Sequence, residues 1–278
     1  MFCVLCKKYG RLKTLFTITS NGAFPEKPTL LMEVGADYCC YAFYREETRS
    51  FERITQISFD EHEAYESLVS IVSELKNQQF ERVFFCSAFA QALLMPQKFF
   101  ANSDAVLDII YDIPSSRHLN DYISEWQMVN VYSIPSAMHE MITSGFSGVQ
   151  FFHAYTPLIK VFNHYEADQQ IHLYFTTQYF RVLVKKEQQV QLAQIYAYKS
   201  PLDVAYYLLK MVYEFDLDQT QVHVILSGLV DEKSALFDEI HHYFIHVKFA
   251  QHGNFNLPEN DFPEYYFSSL YNLAGCVS

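Results

Sequence analysis

The chain has 278 residues, half of them hydrophobic and 19% charged, a balance that argues against disorder and allows a large buried core. Its formal net charge of −12 argues against a phosphate-backbone binder, whose affinity needs clustered Lys and Arg, so no nucleic-acid partner is expected. No apolar run reaches the length of a membrane span, and the opening MFCVLCKKYGRLKTLFTI lacks the order of a secretory signal. A cytoplasmic protein without membrane insertion is therefore expected, with its six cysteines reduced.

An N-terminal arm is expected over residues 1–28. Cys3 and Cys6 form a C-x-x-C with no second pair at zinc spacing, so no metal site is assigned there. TLLMEV (29–34), DYCCYAFY (37–44) and SFERITQISF (50–59) read as strands from their β-branched and aromatic content. DEHEAYESLVSIVSELKNQQ follows as a helix, with Asp60 as cap and Tyr65, Leu68, Val69, Val72 and Leu75 on one face. RVFFCSA (82–88) is a buried strand. From Ala88 to Gln127 the pattern yields one helix near Asp104 to Tyr111 and loops around Pro96 and Pro114. VNVYSIP (129–135) is a strand followed by a helix that Ser136 caps, and VQFFHAY (149–155) is a strand followed by a helix that Thr156-Pro157 opens.

The second half repeats this order. IHLYFTT (171–177), YFRVLVKK (179–186) and QVQLAQIYAY (189–198) are strands. SPLDVAYYLLKMVYEF is a helix with Ser200 as N-cap, Pro201 first and an apolar stripe of Leu202, Tyr206, Leu209, Val212 and Tyr213. QVHVILSG is a strand ending at Ser227-Gly228. Near the C-terminus, Phe267, Leu270 and Tyr271 suit docking on the core, while Tyr207, Tyr265 and Tyr266 are candidates for an exposed aromatic patch. Three strands, a helix and a strand thus occur twice, giving lobes over 29–165 and 166–278.

Two βββαβα units in tandem are the plan of the actin-like ATPase (ribonuclease H-like) α/β fold of actin, Hsp70 and the sugar kinases. NVYSIPSAMHEMI, VQFFHAYTPLI, SPLDVAYYLLKMVYEFDLD, VILSGLVDEKSALFDEI and YYFSSLYNL together resemble the uncharacterised Bacteroidetes domain-of-unknown-function family 3822. The resemblance covers roughly residues 29 to 274 and implies a fold, with no assigned activity.

An active member of that superfamily grips phosphates with two hairpins of the form Asp-x-Gly. The carboxylate holds Mg²⁺ through water and the glycine admits the phosphates. The first hairpin here is MEVGADYCCY, with Glu33 and Gly35 at those positions and Asp37, a second negative charge, where small hydroxyl residues usually follow. The second is YFTTQYF, which has neither Asp nor Gly but offers Thr176 and Thr177 as donors. The adenosine turn keeps Ser227 and Gly228, with Asp231 to Lys233 near a ribose in principle. The cofactor residues, were Mg-ATP to bind, are therefore Glu33, Gly35, Asp37, Thr176, Thr177, Ser227 and Gly228. With these motifs degraded, no catalytic or metal residue is assigned and no cofactor is expected. The reading is a non-catalytic scaffold with an unknown protein partner; the alternatives are an ATP-binding ATPase or kinase, or a small-molecule binder in the inter-lobe cleft.

Overall fold

The computed structural model describes residues 12–20, 27–100, 107, 110–111, 115–161 and 167–277. Three consecutive strands, β2 (Thr29–Gly35), β3 (Tyr38–Arg45) and β4 (Ser50–Ser58), pair as an antiparallel meander. Helix α1 (Ala64–Leu75) then returns the chain so that β5 (Val83–Ala88) runs parallel to β2. The second half does the same with β10 (Gln169–Phe175), β11 (Tyr179–Lys186), β12 (Gln189–Ala197), helix α4 (Pro201–Glu214) and β13 (His223–Gly228).

A fifth strand closes each set: β9 (Gln150–His153) beside β5, and β14 (His246–Phe249), which follows helix α5 (Ala235–Tyr243), beside β13. The spatial orders β4-β3-β2-β5-β9 and β12-β11-β10-β13-β14 are the same, which makes the duplication structural. The first sheet has one further edge strand, β1 (Lys13–Thr19), antiparallel to β4, within the residues expected to form an arm. Its Thr, Phe and Ile favour a strand, and its backbone pairs the edge of β4 that a solvated arm would leave open.

A small antiparallel sheet follows, in the order β6-β8-β7. Its strands β6 (Ala92–Pro96) and β7 (Ser116–Ile123) lie in the stretch that gave a poor sequence pattern, β6 running up to the proline expected in a loop, and β8 (Met128–Pro135) is the expected strand VNVYSIP. The expected helix near Asp104 to Tyr111 falls mostly outside the described residues; Leu107 and Ile110 are helical.

Helix α2 (Ser136–Gly145) packs with α1 on one face of the first sheet. Its N-cap position is Pro135 and its Ser136 side chain makes no cap bond. The other face is covered by α6 (Ser268–Val277), reached from the second lobe, which packs on α3 (Tyr155–Val161). Phe267, Leu270 and Tyr271 bury there against Leu31, Cys40, Ala42 and Tyr44, as their spacing anticipated. Cys39 and Cys40 point to opposite faces, and because α6 covers the second face both are core.

Two helix faces differ from expectation. On α1 the buried set is Leu68, Ile71, Val72 and Leu75; Tyr65 and Val69 are exposed, and Asp60 makes no side-chain cap because a 3-10 turn, Glu61–Glu63, precedes the helix. On α4 the cap is as expected, a box in which Ser200 and Asp203 bond each other's backbone, with Pro201 following. The buried side is Val204, Ala205, Leu208 and Met211, leaving Leu202, Tyr206 and Tyr213 outward at 62–87% exposure. A helix apolar on two sides reads ambiguously by period alone. The aromatic patch also lies elsewhere: Tyr207 stacks on Tyr196, Tyr265 on Phe249, and Tyr266 bonds Asp231, so all three are half-buried. Among the described residues no helix is long and apolar enough to cross a membrane.

Candidate functional site

Because β2 and β10 occupy the same place in their sheets, the turns after them, Gly35–Asp37 and Thr176–Gln178, face each other across the cleft. Both sets of residues named from the sequence come together here. Glu33 is 2% exposed and is fully engaged. Arg181 of β11 forks onto it, Nη2 to Oε1 at 3.4 Å and Nη1 to Oε2 at 3.5 Å, the Tyr38 hydroxyl donates to Oε1, and the Cys86 thiol lies at 3.7 Å. A carboxylate so paired within protein is not free to hold a hydrated cation. Gly35 is occupied as well: a Cβ there would collide with the Tyr38 ring, which covers the backbone that the phosphates of an ATPase would approach.

Asp37 makes the decisive contact. Its Oδ2 accepts from the Thr177 hydroxyl at 2.7 Å, the Thr176 hydroxyl at 2.9 Å and the Gln178 backbone N–H at 2.9 Å. Two hydroxyls and an amide converging on one oxygen form the kind of donor set that holds a phosphate oxygen. Here a carboxylate of the chain already fills it. Burial pushes the Asp37 acid up from its ordinary range, and the bonds from Thr177, Thr176 and Gln178 pull it back. Beside it, Tyr179 donates to Glu61 at 2.7 Å, adding a second polar tie between the halves.

Asp37→Ala is expected to cost about 2 kcal/mol, because three donors lose a charged acceptor while cleft water rehydrates them in part. Urea unfolding checks this. Acetate or phosphate should return part of the loss in the variant and leave the wild type unmoved.

Ser227 and Gly228, expected at an adenosine turn, lie in the same sheet, but their contacts are structural. Ser227 Oγ donates to the Leu173 carbonyl at 2.8 Å in the neighbouring strand. Gly228 has φ +77°, and a Cβ would meet the Phe175 backbone, whose carbonyl accepts from Leu229 N–H at 2.8 Å. Only glycine fits there. Gly228→Ala should therefore destabilise by about 2 kcal/mol with no ligand present, read from the shift in thermal midpoint. Asp231 is held by the Tyr266 hydroxyl at 2.7 Å.

Sequence reasoning missed Arg181 and Tyr38. A charged residue inside the apolar run YFRVLV was the available signal for the first. It also missed a buried polar cluster behind the cleft, where Asp121 accepts from Thr156 Oγ1 at 2.7 Å, His153 N–H at 2.8 Å and the Tyr132 hydroxyl at 3.2 Å. Between the lobes remains a cavity of about 340 Å3, bounded by Asp37, Glu61, Tyr65, Phe89, Met138 and Arg181 among others. Among the described residues no group of three His, Cys, Asp or Glu side chains is arranged to hold a metal ion.

Residues 23–247 match the model of a family described as protein of unknown function (DUF3822). No curated protein matches the chain by sequence. Among solved structures, a Bacteroides thetaiotaomicron protein with actin-like ATPase fold and unknown function aligns with TM-score 0.78 at 14% identity, covering 92% of this chain and all of the other. A protein of the PilM-PilN type IV pilus biogenesis complex aligns with TM-score 0.62 at 10% identity, over 91% of this chain and 99% of its own.

Proposed function

The chain belongs to the DUF3822 family and has the actin-like ATPase fold, and from that premise we propose that it is a non-catalytic scaffold that works by binding another protein. The observation that carries this reading is the Asp37 carboxylate seated on Thr176, Thr177 and Gln178. A triphosphate entering that place would have to displace a buried anion from its donors and then lie beside it, with Coulomb repulsion in a poorly screened cleft. Glu33, the other residue at a metal-holding position, is neutralised by Arg181. Two further points support a partner-binding role: the outward apolar side of α4, and the occurrence of this fold in a PilM-PilN complex.

The test is thermal unfolding of the full chain with Mg-ATP, Mg-ADP or neither. A ligand that binds the folded state raises the midpoint, by an amount equivalent to about 2.7 kcal/mol at a hundredfold excess over its Kd. No rise at roughly millimolar nucleotide, where a working site would be saturated, is the expected result. A saturable rise, or phosphate release above the rate without protein, would remove the proposal. Affinity capture that returns one stoichiometric partner would support the scaffold role directly.

A further inference from the structure

The inter-lobe cavity has an unusual balance of charge. Most of its wall is apolar, and Ala36, Ala64, Ala88 and Ala90 contribute no bulk, which is why space for about 340 Å3 remains. Of the charged side chains lining it, Arg181 is already spent on Glu33. Among the described residues Asp37 and Glu61 pair with no Lys or Arg, and His62 lies beside them. Asp37 has no exposed surface, and although its Oδ2 takes all three hairpin donors, its Oδ1 has no hydrogen-bond partner among the described residues. A buried carboxylate oxygen without a donor is costly. Tyr65 and Tyr179 also line the space, and aromatic faces attract cations; the ring of Tyr174 is already covered by Arg181.

An acidic, aromatic, apolar pocket holding an unsatisfied acceptor repels phosphates and carboxylates and suits a cation with a hydrocarbon body. We propose that this cavity binds an organic ammonium group, its N–H directed to the exposed Glu61 with the negative charge of the buried Asp37 behind it, and its alkyl or aryl part against the alanines, Phe89 and Met138. The inference rests on the reading that nucleotide does not occupy the cleft. The ammonium has two possible sources, a free amine or a lysine side chain of a protein partner, and the two share this chemistry.

The experiment uses the full chain at pH 8 and follows the thermal midpoint while titrating phenethylammonium, 2-phenylethanol, phenylacetate and Nα-acetyl-lysine methylamide. The ammonium compounds should give a saturable rise that the neutral alcohol and the anion do not. Tighter binding of the lysine derivative assigns the site to a partner's side chain, and tighter binding of phenethylammonium assigns it to a small amine. Asp37→Asn should weaken the ammonium by about tenfold or more, and Glu61→Gln, at an exposed charge, by about two- to fivefold. Should Asp37→Asn fail to fold, Ala64→Leu at the start of α1 narrows the cavity without touching a charge and should abolish the response. Equal responses to amine and alcohol, no response to either ammonium, or an ammonium response that survives Ala64→Leu would overturn the site. Failure here beside an absent Mg-ATP shift leaves the non-nucleotide reading standing; a positive Mg-ATP shift removes both.

Discussion

Arg181→Met is expected to lower the free energy of unfolding by about 3–5 kcal/mol, because it leaves the buried Glu33 carboxylate facing only a phenol and a thiol. Arg181 and Glu33 are 5% and 3% exposed at their side chains, so water cannot take over the missing role. Arg181 also lies 4.7 Å over the Tyr174 ring, and methionine keeps most of that apolar contact, which isolates the electrostatic part. The pair is costly to split and much less costly to remove whole. Glu33→Gln combined with Arg181→Met should therefore recover half or more of the loss, measured as the urea midpoint at constant slope. Arg181→Met within about 1 kcal/mol of wild type would mean that the cleft is wetter than the geometry shows.

The second large effect is acid lability. Burial holds His153 down at about 3, His172 at about 3 and His252 at about 4. His153 has a further reason to stay neutral, since Nδ1 accepts from Tyr155 N–H at 3.3 Å, a bond that protonation would break, and this opposes the pull of the Phe89 carbonyl, 2.9 Å from Nε2, toward the charged ring. A histidine whose folded pKa lies below its unfolded value stabilises fully above the unfolded value, about 6.5, and loses that contribution as pH falls further. Each should cost about 1.4 kcal/mol per pH unit below that point.

Asp121 acts in the opposite sense: burial raises it to about 6, so it contributes stability as pH falls through 6 toward the ordinary carboxylate value. Asp37, also raised, has the same sign. The three histidines outweigh these carboxylates and take effect from a higher pH. Unfolding free energy should fall by about 4 kcal/mol between pH 7 and 5. His172→Gln should flatten the profile and Asp121→Asn should steepen it; a profile already flat in the wild type would contradict the assignment.

The duplication was legible because it rests on local pattern. The meanders carry strand periodicity, and the box at Ser200 and Asp203 marks a helix start by chemistry alone. Strand β8 was legible as VNVYSIP, but β6 and β7 beside it were not, since β7 mixes Arg117, His118, Asn120 and Asp121 with apolar residues and lacks a clean alternation. Leu68, Val72 and Leu75 of α1 and Leu209 and Val212 of α4 meet the core as expected, but the rest of both faces was misassigned for a related reason: which side of α4 is buried depends on where the second sheet lies, and periodicity cannot say. At the site, the sequence supplied Glu33, Asp37, Thr176 and Thr177 as separate candidates for a ligand. That they bond across the cleft to each other and to Arg181 is a tertiary fact, with partners separated by more than a hundred residues.

Helix α6 follows the whole second lobe in sequence yet covers the sheet of the first. On the ribosome, the apolar face of Leu31, Cys40, Ala42, Tyr44 and Phe84 therefore waits bare while the second lobe is translated. Nascent chains halted before Ser268 should be the ones that chaperones hold, and a stop codon there would damage the half of the molecule made first.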